Sequence, residues 1–446
     1  MANVIKIPKK EKEIMQTLID NKFEAYVVGG AIRDSLLGLK PKDWDLFTDA
    51  CGEEILALFP QGKVIGGEER QAKILTVVVD GVEVSQYRAS GDRTQTGSSL
   101  EAHLKTCDFT VNAVACDIDG NTVDKVNGLQ DINERELRFV GDGYRRVKED
   151  PLRLLRGIRI LLTKTLVMST GTGEILFDCS EQIKKLSKER VRDELMKIIK
   201  VRGLRLLYAS GYLSKIIPEL KVCEDTEGGD YHDEKVLSHL FYTYNTAQKI
   251  SENPLLHLAA FLHDIGKGAT AKVEADGKLH FLQHEKVGAE YVKKWMAEYK
   301  FSEADTNYVV GLIRNHMWST EGVESPKAYI KFFNQLDKYN LSVYDYLYLK
   351  YCDNQGNMKN TRKSITKFLN MNKGLISKYY ELQFKGVPFT VSDLTISGKD
   401  LIAKGMQPGP AIGKLLKEVF ELVMDGELVN ERPVLMHYIK EKLNGN

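Results

Sequence analysis

Tyr26–Phe47, YVVGGAIRDSLLGLKPKDWDLF, decides how the first part of this 446-residue chain is read. Tyr26-Val27-Val28 is a short β-prone run ending on Gly29-Gly30, where the missing side chains permit a turn and close backbone approach. Backbone N–H groups there can cradle a phosphate. Ala31–Leu37 reads as a short helix carrying Arg33 and Asp34, stopped by Gly38 and Pro41. The chain then turns back into Asp43-Trp44-Asp45-Leu46-Phe47, where a strand's two-residue period puts both aspartates on one face and Trp44 on the other. Paired carboxylates can share divalent metals. Taken singly, Gly-Gly is an ordinary turn and two spaced aspartates are a solvated strand face; the whole constellation weighs against that reading.

Two magnesium ions at Asp43 and Asp45 would activate a 3′-hydroxyl and neutralise a triphosphate, most of what phosphoryl-type transfer asks of a protein. Glu83 is the candidate third carboxylate, because Thr76–Val79 and Val82–Ser85 read as a hairpin around Asp80-Gly81.

Length suggests about three domains at roughly 150 residues each. Six cysteines without CxxC spacing indicate reduced thiols rather than a disulfide framework or zinc ribbon. No apolar run approaches the ~20 residues of a membrane span, and MANVIKIPKKEKEIM does not read as a signal peptide, so the cytoplasm is expected. The net charge of +1 conceals a basic stretch, Glu181–Lys221, with eleven Lys/Arg against five Asp/Glu. That permits a nucleic-acid partner, and a charge-laced helix face in solvent explains it equally well. Up to about Gly141 helices alternate with β-rich segments; beyond it the chain reads as helical, with Thr163–Phe177 as a Thr/Gly-rich loop and 405–410 as a Gly/Pro turn.

A second motif, Leu104–Ala113 (LKTCDFTVNA), a third, Glu149–Arg159 (EDPLRLLRGIR), and a fourth, Glu189–Glu194 (ERVRDE), follow the first in order. With them the chain resembles the class II tRNA nucleotidyltransferases, the CCA-adding enzymes and their poly(A) polymerase relatives. The resemblance implies an α+β fold: a nucleotidyltransferase head with a mixed β-sheet (1–140), then all-α neck (141–225), HD-type (226–375) and tail (376–446) domains. It also implies CCA addition to tRNA from CTP and ATP with Mg2+. Asp43 and Asp45 match the metal-binding aspartates, Gly29, Gly30 and Arg33 the triphosphate turn, and Asp108 with Asn112 the pair facing the ribose. A carboxylate and an amide four residues apart can both reach a 2′-hydroxyl; as a lone motif they would read as a helix cap and a structural Asn. Asp150 and Arg153 match the amino-acid template that pairs with the base, and fixed donors and acceptors suit that task. Asp150-Pro151 equally suits an N-cap with proline at the first helical position. Arg156 and Arg159 suit phosphates or support of the template; Glu189, Arg190, Asp193 and Glu194 resemble the segment that holds it.

Two departures stand out. Thr106-Cys107 occupy the place of the family's basic pair, and the stretch 89–99, with Asp92 and Arg93, is shorter than the loop of full CCA-adding members. CC-only addition and poly(A) polymerase activity are therefore kept as alternatives. Phe261–Gly268 (FLHDIGKG) resembles the core of an HD-domain metal phosphohydrolase, with His239, His263, Asp264, His284, His316 and Asp353 in ligand positions for a second divalent, transition-type metal. Phosphohydrolysis of RNA or nucleotide phosphates is the alternative from a different class. His232, His257 and His280 read as surface or packing residues. The segments Asp393–Ile402 and Pro408–Gly413 resemble the tail that grips the tRNA elbow, where Lys399, Lys404, Lys414 and Lys417 would meet phosphates. No membrane partner is expected, and the oligomeric state is not legible.

Overall fold

The computed structural model describes residues 4–65, 76–89, 99–230, 233–275, 277–319, 326–384 and 386–444. The expectations for the loop containing Asp92 and Arg93 and for His232 fall outside these residues. The chain divides into two compact units, Met1–Ile216 and Ile217–Asn446.

The first unit is built on a seven-stranded mixed sheet in the order β3-β4-β5-β2-β1-β6-β7. Its strands are β1 (Ala25–Val28), β2 (Leu46–Thr48), β3 (Lys63–Ile65), β4 (Thr76–Val79), β5 (Val82–Gln86), β6 (Val114–Cys116) and β7 (Thr122–Asp124). β2 and β5 run parallel, and the other neighbours are antiparallel. The β4–β5 hairpin forms around Asp80 and Gly81, whose φ of 49° and 84° suit a two-residue turn of the kind Asp-Gly favours. Val27, Leu46, Val77, Val79 and Val84 are fully buried, the alternation expected of a sheet with one face in a core.

Asp43 and Asp45 are not in a strand. β2 begins only at Leu46, and Asp45 is tied to β1 by its carbonyl, which accepts from the Val28 N–H at 3.2 Å. Aspartate is disfavoured in strands and Pro41 lacks an N–H, so the chain reaches the sheet late.

The stretch 163–177 is not a loop. The helix Leu152–Lys164 ends on Thr165 in the left-handed region, β9 (Val167–Met168) pairs in parallel with β8 (Glu136–Leu137), and a helix follows at Thr170–Asp178. Ser169 caps that helix by accepting from the Thr172 N–H, and it buries Thr172, Ile175 and Leu176. The glycines masked that three-four spacing in the sequence.

The second unit is mostly helical rather than all-α. A hairpin of β10 (Ala271–Val273) and β11 (Leu279–Phe281) interrupts helices that include Val236–Ile250, Pro254–Leu262, His284–Glu298, Glu303–Asn315 and Val343–Gly356. A Cβ on Gly266 would lie 2.1 Å from the His284 carbonyl oxygen, so only glycine lets those segments approach. Near the C-terminus, Leu401, Val419, Leu435 and Ile439 anchor a small core among the helices Gly398–Ala403, Pro410–Met424 and Arg432–Asn444. Among the described residues, no helix is long and apolar enough to cross a membrane.

Candidate active site and metal centre

A cleft of about 370 Å³ opens in the first unit, lined by Gly29, Gly30, Arg33, Asp45, Glu83, Asp108, Asn112, Asp150, Arg153, Arg156 and Arg159 among others. Asp43 is exposed and outside this lining. Gly29 has φ 102°, which an L side chain rarely adopts, and it leads into the short helix Gly30–Leu36 that carries Arg33.

One charged network crosses the cleft. Lys164 Nζ donates to Asp34 Oδ2 at 2.6 Å, and Arg33 donates to Asp34 Oδ1 through Nε and Nη2 at 2.9 and 2.7 Å. Arg33 Nη1 donates to Asn112 Oδ1, and Asn112 Nδ2 donates to Asp108 Oδ1 at 2.9 Å. Arg156 Nη2 then lies 3.0 Å from Asp108 Oδ2. Burial would raise the Asp108 pKa, but Arg156, the Asn112 amide and the Phe109 N–H outweigh it and hold the carboxyl below its ordinary value. Charged and hydrogen-bonded in this way, the network holds its donors at the cleft wall.

Asp45 behaves in the opposite way. Burial, then the carboxylates of Glu83 and Asp43, push it up to about 6, with Arg88 opposing. A carboxyl raised by burial and by like charges is a place where a cation is favourable, so the donor set fits Mg2+. The three carboxylates do not close into a tight group here: among the described residues, the acid and imidazole triads whose ligand atoms lie within 4.8 Å of one another are His239/His263/Asp264, Asp264/His284/His316 and Asp131/Glu134/Glu136.

Asp150 and Arg153 are both engaged. Asp150 Oδ1 accepts from the Leu152 N–H at 3.1 Å, the capping role, while Arg190 Nη2 sits 3.0 and 2.9 Å from its two oxygens. Arg153, only 4% exposed, donates Nη1 to the Arg146 carbonyl at 2.7 Å and to Glu149 Oε2 at 3.1 Å. Arg159 Nε donates to buried Glu194 at 2.7 Å. Glu189 and Asp193 pair with Arg192 instead. The sequence reading passed over Phe47, Arg88 and His103, which also line the cleft. His103 sits in the short helix Leu100–Leu104 with no motif of its own; Arg88 carried the one available signal, a cation two residues beyond β5.

The second unit holds a separate centre. His239, His263, His284 and His316 are all buried, and their Nε2 atoms converge on Asp264. His284 and His316 lie 3.1 and 3.3 Å from Asp264 Oδ1; His263 and His239 lie 3.4 and 3.7 Å from Oδ2. Asp353 Oδ1 is 3.2 Å from His239 Nε2 and 3.6 Å from His263 Nε2. The other ring nitrogens set the tautomers: Nδ1 of His263, His284 and His316 faces the carbonyls of Ala260, Phe281 and Ile313 at 3.0, 2.8 and 2.7 Å, and His239 Nδ1 faces Glu234 Oε1 at 3.1 Å. A carbonyl requires an N–H, so each of these three Nε2 carries a lone pair in the neutral ring. Asp264 Oδ1 is buried without a hydrogen bond. Lone pairs thus face a carboxylate, and only protons or a cation can fill the middle. Burial would lower His263, yet Asp264 and Asp353 push it up to about 10, the protonic solution to the same crowding. Lys267 Nζ already pairs with Asp264 Oδ2 at 2.7 Å, and the donor set around the remaining lone pairs fits one or two divalent ions, with Asp264 Oδ1 facing His284 and His316.

Comparison with known proteins gives three family matches along the chain. Residues 25–138 match the poly(A) polymerase head domain, 169–223 the probable RNA and SrmB- binding site of polymerase A, and 236–341 the HD domain. The CCA-adding enzyme of Lactococcus lactis subsp. lactis is 28% identical over 450 residues, covering 97% of each chain. That of Lactobacillus helveticus is 27% identical over 460 residues, covering 99% of this chain and 100% of its own. The crystal structure of the Bacillus stearothermophilus CCA-adding enzyme in complex with CTP superposes with a TM-score of 0.64 at 22% identity over 99% of both chains. The Thermotoga maritima CCA-adding enzyme complexed with tRNA gives 0.54 at 18% identity, over 99% of this chain and 97% of that one.

The head fold and its cleft define a nucleotidyltransferase. More narrowly, the chain is a tRNA nucleotidyltransferase that resembles the CCA-adding enzymes along its length and carries an HD domain.

Proposed function

We propose that the chain completes the 3′ end of tRNA with CMP and AMP from CTP and ATP, acting in the cytoplasm. The observation that carries this is the cleft, where glycine turn, arginine network and raised-pKa carboxyl occur together. Mg2+ held by Asp45, Glu83 and Asp43 would supply Lewis acidity at the triphosphate and at the attacking hydroxyl. The protein's own share is placement. Gly29, Gly30 and Arg33 hold the triphosphate, Asp108 and Asn112 meet the ribose, and Asp150 with Arg153 reads the base. In this reading Asp150 exchanges its bond from Arg190 for the base, while Arg153 is pinned by Glu149 and by the Arg146 and Thr106 carbonyls and meets the base with the N–H groups these leave. Arg156 and Arg159 steady this wall through Asp108 and Glu194. We assign modules at 1–140 (head), 141–225 (neck), 226–375 (HD) and 376–446 (tail), with exposed Lys399, Lys404, Lys414 and Lys417 meeting tRNA phosphates. Incorporation of labelled CMP into tRNA trimmed of its CCA end, dependent on Mg2+, tests the proposal; no incorporation would refute it.

A second activity is supported by the convergence of four imidazoles on Asp264 beside a pocket of about 560 Å³ in the second unit. A divalent ion held by His239, His263, Asp264, His284, His316 and Asp353 would supply Lewis acidity and an activated water for phosphate-ester hydrolysis. Phosphate release that survives Asp45→Ala and disappears with Asp264→Ala supports it; no metal-dependent release from any phosphate ester argues against it.

A further inference from the structure

His103 and Arg88 stand in the head cleft without a part in the scheme above. His103, in the helix Leu100–Leu104, is 2% exposed. Its Nδ1 accepts the backbone N–H of Arg88 at 3.3 Å, so a neutral ring must carry its proton on Nε2. Burial, then the charge of Arg88, push the imidazole down to about 3, which keeps it neutral. The ring is clamped by Phe47, with centroids 4.2 Å apart, and by Tyr87 at 5.8 Å. The Arg88 guanidinium lies over the same Phe47 ring, 5.6 Å from its centre.

Phe47 is in β2, two residues past Asp45, and Arg88 lies two residues past the end of β5, the strand that carries Glu83. Two sources of hydrogen-bond donors therefore stand beside the carboxylates proposed for Mg2+, one a planar cation and one a tautomer-locked N–H. Acceptor-only, multiply charged groups fit that juxtaposition, since an anion bridging cations and donors meets both. His103 also acts on the neighbouring turn: its carbonyl accepts from the Thr106 N–H at 2.9 Å and Oγ1 at 2.7 Å, just before Asp108.

We propose that Arg88 and His103 form a phosphate grip, the guanidinium and Nε2–H donating to the triphosphate of the incoming nucleotide and to the pyrophosphate that leaves. The inference rests on the cleft binding nucleotides, and it adds two residues to those that position the substrate. Phe47 serves as the plate against which both are held.

The test combines steady-state kinetics of CMP transfer with calorimetric binding of CTP and of pyrophosphate to the full chain. Arg88→Ala should raise the KM for CTP and weaken pyrophosphate inhibition by about tenfold or more, the scale of one charge-assisted contact, with the KM for tRNA unchanged. Arg88→Lys should recover part of the loss. His103→Gln, which keeps a donor, should fall between wild type and His103→Ala. Variants that lower the thermal midpoint while leaving CTP and pyrophosphate affinities at the wild-type value would overturn the grip and leave a packing role. A wild-type protein that binds CTP tightly yet transfers nothing would count against the transferase reading alone, because the binding arm reports on the grip independently.

Discussion

Replacing Asp45 by Asn should make the metal-free protein more stable and the enzyme inactive. Burial, Glu83 and Asp43 move the Asp45 pKa from 3.8 to about 6. Keeping it ionised near neutral pH therefore costs up to about 3 kcal/mol, which solvent screening at a half-buried group reduces to about 1–2 kcal/mol. The sign follows from linkage. The folded protein binds this proton more tightly than the unfolded chain, so the contribution is most favourable below about pH 4 and is lost as pH rises through about 6. Asn carries no such penalty. In chelator-treated buffer at about pH 7.5, D45N should unfold at a higher temperature than wild type, and the difference should vanish by about pH 4. Magnesium should reverse the order, stabilising wild type by relieving the repulsion and doing little for D45N. Transfer should fall on the order of a hundred- to a thousandfold, the range for one lost preorganised electrostatic contact. Circular-dichroism melts at both pH values, with and without Mg2+, together with CMP incorporation, measure all of this. A metal-free D45N less stable than wild type at pH 7.5, or equally stabilised by Mg2+, would refute the reasoning.

Asp150→Ala removes both the cap and the partner of Arg190, so misincorporation between CTP and ATP should rise while tRNA affinity holds; unchanged selectivity in single-turnover assays would leave Asp150 only its capping role. Arg156→Ala strands the buried Asp108 carboxylate and should destabilise the first unit by about 2–4 kcal/mol, read from denaturant midpoints. Gly29→Ala forces a side chain to φ 102° and should cost about 1 kcal/mol or more in stability as well as weaken CTP binding. Asp264→Ala should abolish metal uptake by the second unit, measured by elemental analysis, and leave CMP transfer at the wild-type rate.

Local chemistry was what the sequence conveyed well. Asp80-Gly81 announced its hairpin because two positive φ values demand such residues, and Gly29 marked the turn into the helix Gly30–Leu36 for the same reason. His263-Asp264 drew attention to the second centre, and the structure brings His239, His284, His316 and Asp353 around it from four further segments. What remained hidden depends on partners distant in sequence. Nothing local says that Arg190 pairs with Asp150 across forty positions, or that Lys164 reaches Asp34 across 130. Arg33 and Arg153 were read as ligand donors, and Arg156 and Arg159 as suited to phosphates or to support of the template; in the structure all four are tied to carboxylates, amides or carbonyls of the chain itself. His103 was invisible because its significance lies in a backbone N–H from another element, and the helix Thr170–Asp178 was obscured by glycines that burial of Ile175 and Leu176 overrides.

The most direct test of the account is extension of tRNA lacking its CCA end by the purified chain with Mg2+, using CTP alone, ATP alone and both, with products resolved to one nucleotide. The account predicts two additions with CTP alone and completion to CCA with both nucleotides. A halt after CC in the presence of ATP, or long tails made from ATP alone on unstructured RNA, would contradict it.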